Sequence, residues 1–360
     1  MSRAFPDFKL TVNVHDLFPR ASGIYVLDIK IQVWFRSRRV PVRLRCRKIG
    51  RKILKSGNRN GGFRSLLVVG GCHQDVLGRA AFIYEPATSC PGIVTRRPGG
   101  VARNVAVLLG RAGAPCRFVS KVGNDAAGRE LIAELTSAGI DTSAMVVDAN
   151  GRTGTYLAIH DEAGELVSAI SDLGLYDSFV LPAAALNNDG DPLVFADANL
   201  APGELARLAD AYGDRLVFDA ISRAKAPRLK PLVASGALII CNLPSAELLV
   251  GHPVERPIEA AERLLTTGAR RAVITGGSKP LAILDDGGII ELTPLPTEVV
   301  DVTGVGDAQT AGILLALAAG APLAAAVKVG MMAARAALAT AGALGELPAD
   351  VIAAALAAET

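Results

Sequence analysis

From residue 66 onward the apolar residues fall into two alternating patterns. Short continuous runs such as Leu66-Leu67-Val68-Val69, closed by Gly70-Gly71, read as strands buried on both faces. Longer stretches place apolar residues on one helical face, as Val101, Val105, Leu108, Leu109 and Ala112 do. From residue 190 the two patterns repeat in turn, with strands predicted over 193–196, 215–218, 237–241 and 271–275 and helices over 202–212, 244–250 and 257–267. Such a succession predicts a mostly parallel sheet with helices on both faces. Residues 153–172 alternate instead like an exposed hairpin, turning at Asp161-Glu162-Ala163-Gly164-Glu165. Together with the polar, turn-rich 79–97, the hairpin region (about 152–173) predicts a small β lid. The apolar run over 311–327 is broken by Gly320-Ala321-Pro322, which predicts two core helices rather than a membrane span.

Charge divides the chain. The net charge is +3, yet residues 1–64 hold 16 Lys and Arg against 3 Asp and Glu, and the remainder hold 22 against 32. Residues 1–65 are therefore expected to be a basic, poorly ordered extension, and residues 66–360 one large α/β domain. No DNA- or RNA-binding motif accompanies the basic residues, so nucleic acid is a disfavoured partner. The five cysteines, Cys46, Cys72, Cys90, Cys116 and Cys241, form no Cys-x-x-Cys pair and no metal-ligand spacing with His. Scattered thiols of this kind, with no apolar leader at the start, fit a cytoplasmic setting and no membrane partner. No metal ligand is assigned.

The stretch that carries chemistry is Asp301-Val302-Thr303-Gly304-Val305-Gly306-Asp307, running into an Ala- and Leu-rich helix. Gly304 and Gly306 leave the backbone bare, and the N–H groups of Gly304, Val305 and Gly306 can converge on an anion at a helix start. Asp307 follows in the first turn, where a carboxylate can orient an acceptor hydroxyl and take its proton. Taken alone, Gly-x-Gly-Asp also fits an ordinary capped helix. A second glycine pair, Gly99-Gly100, opens another helix, with Asn104 near its start able to donate and accept toward a sugar hydroxyl. Neither glycine pattern is a dinucleotide fingerprint or a P-loop. Asp75 follows the first predicted strand, where a turn residue and a ligand contact are both reasonable readings. Asp197, Asn199, Asp219 and Asn242 stand at later strand ends along the same rim, and Thr275-Gly276-Gly277 follows another.

The order of these features resembles the ribokinase-like (PfkB) carbohydrate kinase family. Gly99-Gly100 with Asn104 resembles its N-terminal signature, and Asp301 to Asp307 its C-terminal Asp-Thr-x-Gly-Ala-Gly-Asp signature. Cys90-Pro91-Gly92, Arg97-Pro98-Gly99-Gly100-Val101-Ala102-Arg103-Asn104 and Phe218-Asp219-Ala220-Ile221-Ser222-Arg223-Ala224-Lys225 look most like the pseudouridine-phosphorylating branch. The resemblance implies a three-layer α/β sandwich with a β lid. It also implies ATP-dependent phosphorylation of a nucleoside 5′-hydroxyl, pseudouridine first, with other sugar or nucleoside kinases and a weak nucleoside-binding pseudokinase as alternatives.

It assigns catalysis to Asp307 with Gly304, Val305 and Gly306. Substrate binding falls to Asp75, Gly99, Gly100, Asn104, Asp172 and Lys225, and ATP binding to Asn242, Thr275, Gly277 and Thr303. Mg²⁺, a monovalent cation and a homodimer through the lid belong to the same expectation. Four positions depart from the family pattern, among them Gly277-Ser278-Lys279-Pro280, which lacks the second family glycine. Val305 and Val302 replace Ala and Thr, and the family's Asn-x-x-Glu reads Asn242-Leu243-Pro244-Ser245, which bears on metal handling.

Overall fold

The computed structural model describes residues 9–15, 28–35, 38–42, 59–60, 62–187, 190–343 and 345–358. The chain divides into two compact units, 1–55 and 56–360. Within the first, strands Lys9–His15, Asp28–Phe35 and Arg38–Val42 pair antiparallel in sequence order. The order expected to be poor over 1–65 concerns mostly residues outside the described set.

The second unit is built on an eight-stranded sheet. Its strands are β1 (Leu66–Val69), β4 (Cys116–Val119), β9 (Leu193–Asp197), β10 (Leu216–Asp219), β11 (Leu238–Asn242), β12 (Arg271–Gly276), β13 (Lys279–Asp285) and β14 (Gly288–Leu292). Their spatial order is β14-β13-β12-β11-β10-β9-β1-β4. The six from β12 to β4 run parallel, and β13 and β14 close one edge antiparallel. All four residues of β1 are buried, as expected of a strand covered on both faces. Each such side chain contributes roughly 1.5–3 kcal/mol of burial.

Two apolar cores flank the sheet. One gathers α1 (Val101–Arg111), α2 (Ala126–Ser137), α6 (Val305–Ala319), α7 (Leu323–Leu338) and α8 (Ala349–Ala357). The other gathers α3 (Pro202–Tyr212), α4 (Leu243–Val250) and α5 (Pro257–Thr266). Helix α6 is apolar on nearly every side because α1, α7, α8 and β9 all pack on it. Gly320, at φ 101°, turns the chain from α6 into α7, where the apolar run was expected to break. Among the described residues no helix is long and apolar enough to cross a membrane.

Four further strands form a separate sheet over one end of the first. They are β2 (His73–Ala80), β3 (Gly92–Gly99), β7 (Thr155–His160) and β8 (Leu166–Asp172), in the order β8-β7-β2-β3. This is the expected lid, with one correction. The turn-rich segment 79–97 keeps turn and irregular backbone over 81–91, and the correction is that the flanking β2 begins as early as His73. An exposed two-sided sheet needs no strict alternation of polar and apolar residues, so its pattern is weak in the sequence. Asp75 is accordingly a strand residue paired with Arg97, not a turn residue. A short parallel pair, β5 (Lys121–Gly123) and β6 (Val146–Asp148), lies between.

The four described cysteines are all free, with Cys72, Cys116 and Cys241 buried and Cys90 half-buried. Cys46 lies outside the described residues.

The α6–α7 crossing depends on two glycines. A methyl group at Gly330 would lie 2.6 Å from the Ile313 side chain and 2.7 Å from the Gln309 carbonyl. Gly330→Ala is expected to cost about 1–3 kcal/mol as overpacking. The urea midpoint should fall with an unchanged slope, and an unshifted midpoint would contradict this close approach.

Candidate active site

The site begins at the turn after β1. Asp197, wholly buried at the end of β9, accepts hydrogen bonds from the N–H groups of Gly71 (3.0 Å), Ala102 (2.9 Å) and Asn199 (3.0 Å). One carboxylate thereby ties the glycine turn to the first turn of α1, where the helix end favours negative charge. Burial nonetheless raises its pKa above the ordinary range, with the backbone donors opposing the shift. The elements meet only because side chains are missing. A methyl group at Gly70 would sit 2.5 Å from the Asp197 carboxyl, and one at Gly100 (φ 104°) 2.3 Å from the Gly71 carbonyl oxygen.

The same logic places Asp75. A methyl group at Gly99 would come within 2.2 Å of its Oδ1, so the carboxylate lies directly over bare backbone. Asp75 Oδ1 is buried without a hydrogen-bond partner, and the buried His73 Nε2 is 3.4 Å away. A buried acceptor left open costs about 1–3 kcal/mol, which a ligand hydroxyl would recover.

Asp307 sits in the first turn of α6. Gly304 caps that helix at φ 71° without any side-chain hydrogen bond, and the Val305 N–H makes a long 3.5 Å bond to the Val302 carbonyl. A methyl group at Gly306 would meet nothing within 4 Å, so the space there is open. Asn104 Nδ2 donates to Asp307 Oδ2 at 2.7 Å. Loss of hydration pushes the Asp307 pKa up to about 7, the Asn104 hydrogen bond opposes this, and the charges of Asp219, Asp197 and Asp75 add to it. Asp219 accepts from Thr310 Oγ1 at 3.2 Å and from the Ile221 N–H at 2.7 Å, and burial lifts its pKa to about 6. Carboxylates from β2, β9, β10 and α6 therefore converge at one rim of the sheet. A base near pH 7 here is stronger than a carboxylate at a helix start would ordinarily be, because crowding by burial and like charge outweighs the helix end.

The start of α6 separates two cavities. One, of about 350 Å³, includes Asn104, Gly304 and Asp307 together with Arg97, Arg103 and Arg111. The other, of about 390 Å³, is largely apolar and includes Thr275, Gly277, Val305, Gly306, Met331 and Leu338. Thr275 and Gly277 thus line a cavity as expected. Asn242 does not line it: it is the N-cap of α4, accepting from the Ser245 N–H at 2.9 Å, though it pairs with Thr275 across β11 and β12. Thr303 bonds Asp301 Oδ1 through its N–H (2.9 Å) and hydroxyl (2.7 Å). Asp172 is exposed at the end of β8, and Lys225 is half-buried, its pKa lowered by burial and by Arg228.

Sequence reasoning missed the α7 contribution to the apolar cavity, because Met331 and Met332 carry no polar signal. It also missed Arg103, whose ion-pair partner Glu134 lies on α2. Among the described residues, no group of three or more His, Cys, Asp or Glu side chains could hold a metal ion. The Ser245 hydroxyl, where the family pattern has Glu, is buried and unpartnered, and Glu247 is paired with Arg223 at 2.9 Å.

An open helix start beside a carboxylate poised near neutrality is compatible with phosphoryl transfer to an alcohol, and the fold and family match identify a phosphotransferase with an alcohol acceptor on a ribokinase-like α/β fold. Residues 64–350 match the pfkB family carbohydrate kinase model, and the chain belongs to that family. It is similar to the pseudouridine kinase of Escherichia coli K12, 28% identical over 273 residues that cover 73% of this chain and 87% of that protein. It is also similar to the structure of a carbohydrate kinase from Agrobacterium tumefaciens (29% identity, TM-score 0.70, 82% of this chain and 97% of that one). The fold is shared with Arabidopsis thaliana ribokinase complexed with ribose and ATP (20% identity, TM-score 0.72, 82% and 99% covered).

The raised carboxyl has a consequence for stability. Between the ordinary carboxylate value near 3.8 and about 7, the folded chain holds a proton at Asp307 that the unfolded chain has released. Stability contributed by this group is therefore present at low pH and lost as pH rises through about 7. Asp307→Asn should raise the melting temperature more at pH 8 than at pH 5. Equal changes at both pH values would contradict the assigned environment.

Proposed function

We propose that this kinase phosphorylates the 5′-hydroxyl of a nucleoside, pseudouridine first, using ATP. The observation that carries the reading is Asp307, half-buried and hydrogen-bonded to Asn104, at the uncapped start of α6 between two cavities. The apolar cavity suits a nucleotide base, with Thr275 and Gly277 at its sheet edge. The N–H groups of Gly304, Val305 and Gly306 hold the transferring phosphoryl by charge and dipole without a side chain. Asp75 and Asn104 hold the ribose, and Gly99 and Gly100 let it approach the backbone. Asp307 orients the 5′-hydroxyl and takes its proton; a loose transition state asks chiefly for that positioning. The lid strands exclude water from the acceptor side.

Among the described residues no group of three or more His, Cys, Asp or Glu offers Mg²⁺ a ligand set of its own. The ion would be held mainly by the phosphates of ATP and by water, and no step here is routed through it. The E. coli pseudouridine kinase likeness and the fold shared with an ATP-bound ribokinase support the reading. Residues 1–65 are an appendage to this kinase body, which fits a family match that begins at residue 64. Free thiols at all four described cysteines support a cytoplasmic setting.

A panel of pseudouridine, uridine, adenosine, ribose and fructose 1-phosphate, read by ADP release, tests the substrate. Pseudouridine should give the highest kcat/KM, and no turnover of it overturns the specific claim. Asp307→Asn should abolish turnover with nucleoside binding kept; a near-wild-type rate would show that the base lies elsewhere.

The lid exposes Ile93, Val94, Leu166 and Ile170, and we assign these to a homodimer contact with a second lid. Ile93→Lys with Ile170→Lys should convert a dimer to a monomer by light scattering. A wild-type chain that is already monomeric would contradict the assignment.

A further inference from the structure

Asn104 has neighbours that allow only one orientation of its amide. Arg103 Nη1 lies 2.8 Å from Asn104 Oδ1, and a guanidinium can only donate. The atom facing it is therefore the oxygen, which leaves the NH₂ group for Asp307. Arg103 is itself held. It is buried in α1, and its Nη2 forms an ion pair with Glu134 Oε2 of α2. Arg111, one face further along α1, approaches the other Glu134 oxygen at 4.0 Å and donates to the Gly345 carbonyl at 2.6 Å. The series Glu134–Arg103–Asn104–Asp307 thus joins three helices, and each member constrains the next.

We propose that Arg103, locked by Glu134, is a positioning residue that fixes the Asn104 amide with its NH₂ group toward the Asp307 carboxylate. The proposal rests on the reading of Asp307 as the base and adds to it a means of keeping that base ionised. An amide NH₂ facing a carboxylate stabilises its charged form; a rotated amide would present oxygen and stabilise the protonated form. Among the described residues the Asn104 amide gives Asp307 its side-chain hydrogen bond, and the start of α6 adds a weaker favourable field. Asp219 on β10, Asp197 on β9 and Asp75 on β2 all oppose its ionisation. Of the cationic groups lining its cavity, Arg97 comes from β3 and Arg111 from α1, and Arg103 is the one that bonds Asn104. Removing the guanidinium frees the amide to rotate and takes away a cation behind it, and both changes favour a proton on Asp307.

The test is the pH profile of kcat in the full chain. Arg103→Met keeps length and removes the donor. Its acid limb should move up by about one pH unit, so that kcat at pH 6 falls about tenfold while the rate at pH 9 stays within about twofold of wild type. Arg103→Lys, again a donor without acceptor capacity, should return the limb to its wild-type position. Glu134→Gln, which leaves Arg103 in place but loosens it, should move the limb in the same direction by less, and serves if Arg103→Met does not fold. Carboxyl-labelled aspartate NMR reads the same shift without turnover, with the Asp307 signal identified by its loss in Asp307→Asn. An Asp307 titration that rises in Arg103→Met supports the positioning role even if Asp307→Asn retains turnover and the base assignment falls. An unmoved titration and limb, or a rate reduced by one factor at every pH, overturns it.

Discussion

Helix α6 begins without a cap. Asp125 and Asn242 cap α2 and α4 with a side chain, whereas Gly304 at the start of α6 has none to offer. What sets this turn apart is Asp307, half-buried there with three other carboxylates acting on it. The apolar character of α6 is what permits this. Packing by α1, α7 and α8 stabilises the helix so heavily that its first turn can be left unsatisfied for a ligand. The local cost is small beside that burial.

The opposite wall is made by subtraction. Gly70, Gly71, Gly99 and Gly100 each stand where a methyl group would strike a carboxyl, an amide or a carbonyl. Asp197 fills the resulting space and ties β1, β9 and α1 together through backbone N–H groups. It acts as a brace, although its charge still reaches Asp307 across the rim. The two walls are joined by Asn104, which is anchored on α1 and bonded to α6. Geometry at the Asp307 carboxylate is therefore set by the packing of the two helices.

Much of this could be read from local pattern. Runs such as Leu66-Leu67-Val68-Val69 showed the parallel sheet, and Gly304-Val305-Gly306-Asp307 showed the glycine-led start of α6, because each feature is carried by adjacent residues. What escaped depends on partners far along the chain. Asp197 reads as one more strand-end residue until its bonds to Gly71 and Ala102 are seen, 126 and 95 positions away. Arg103 looks like a surface residue of an amphipathic helix, and only the packing of α2 buries it against Glu134. Met331 and Met332 carry no polar signal, so their place in a cavity wall is invisible without α7 in position. Asp75 was open between turn and ligand contact because the lid strand that holds it lacks clear alternation.

The central claim is that the start of α6 holds the phosphoryl group while Asp307 holds the acceptor. A crystal structure with a non-hydrolysable ATP analogue and pseudouridine tests it directly. The account predicts the terminal phosphate within hydrogen-bond distance of the N–H groups of residues 304–306, and the 5′-hydroxyl on Asp307. A terminal phosphate remote from that turn, or a nucleoside bound away from Asp307, would contradict it.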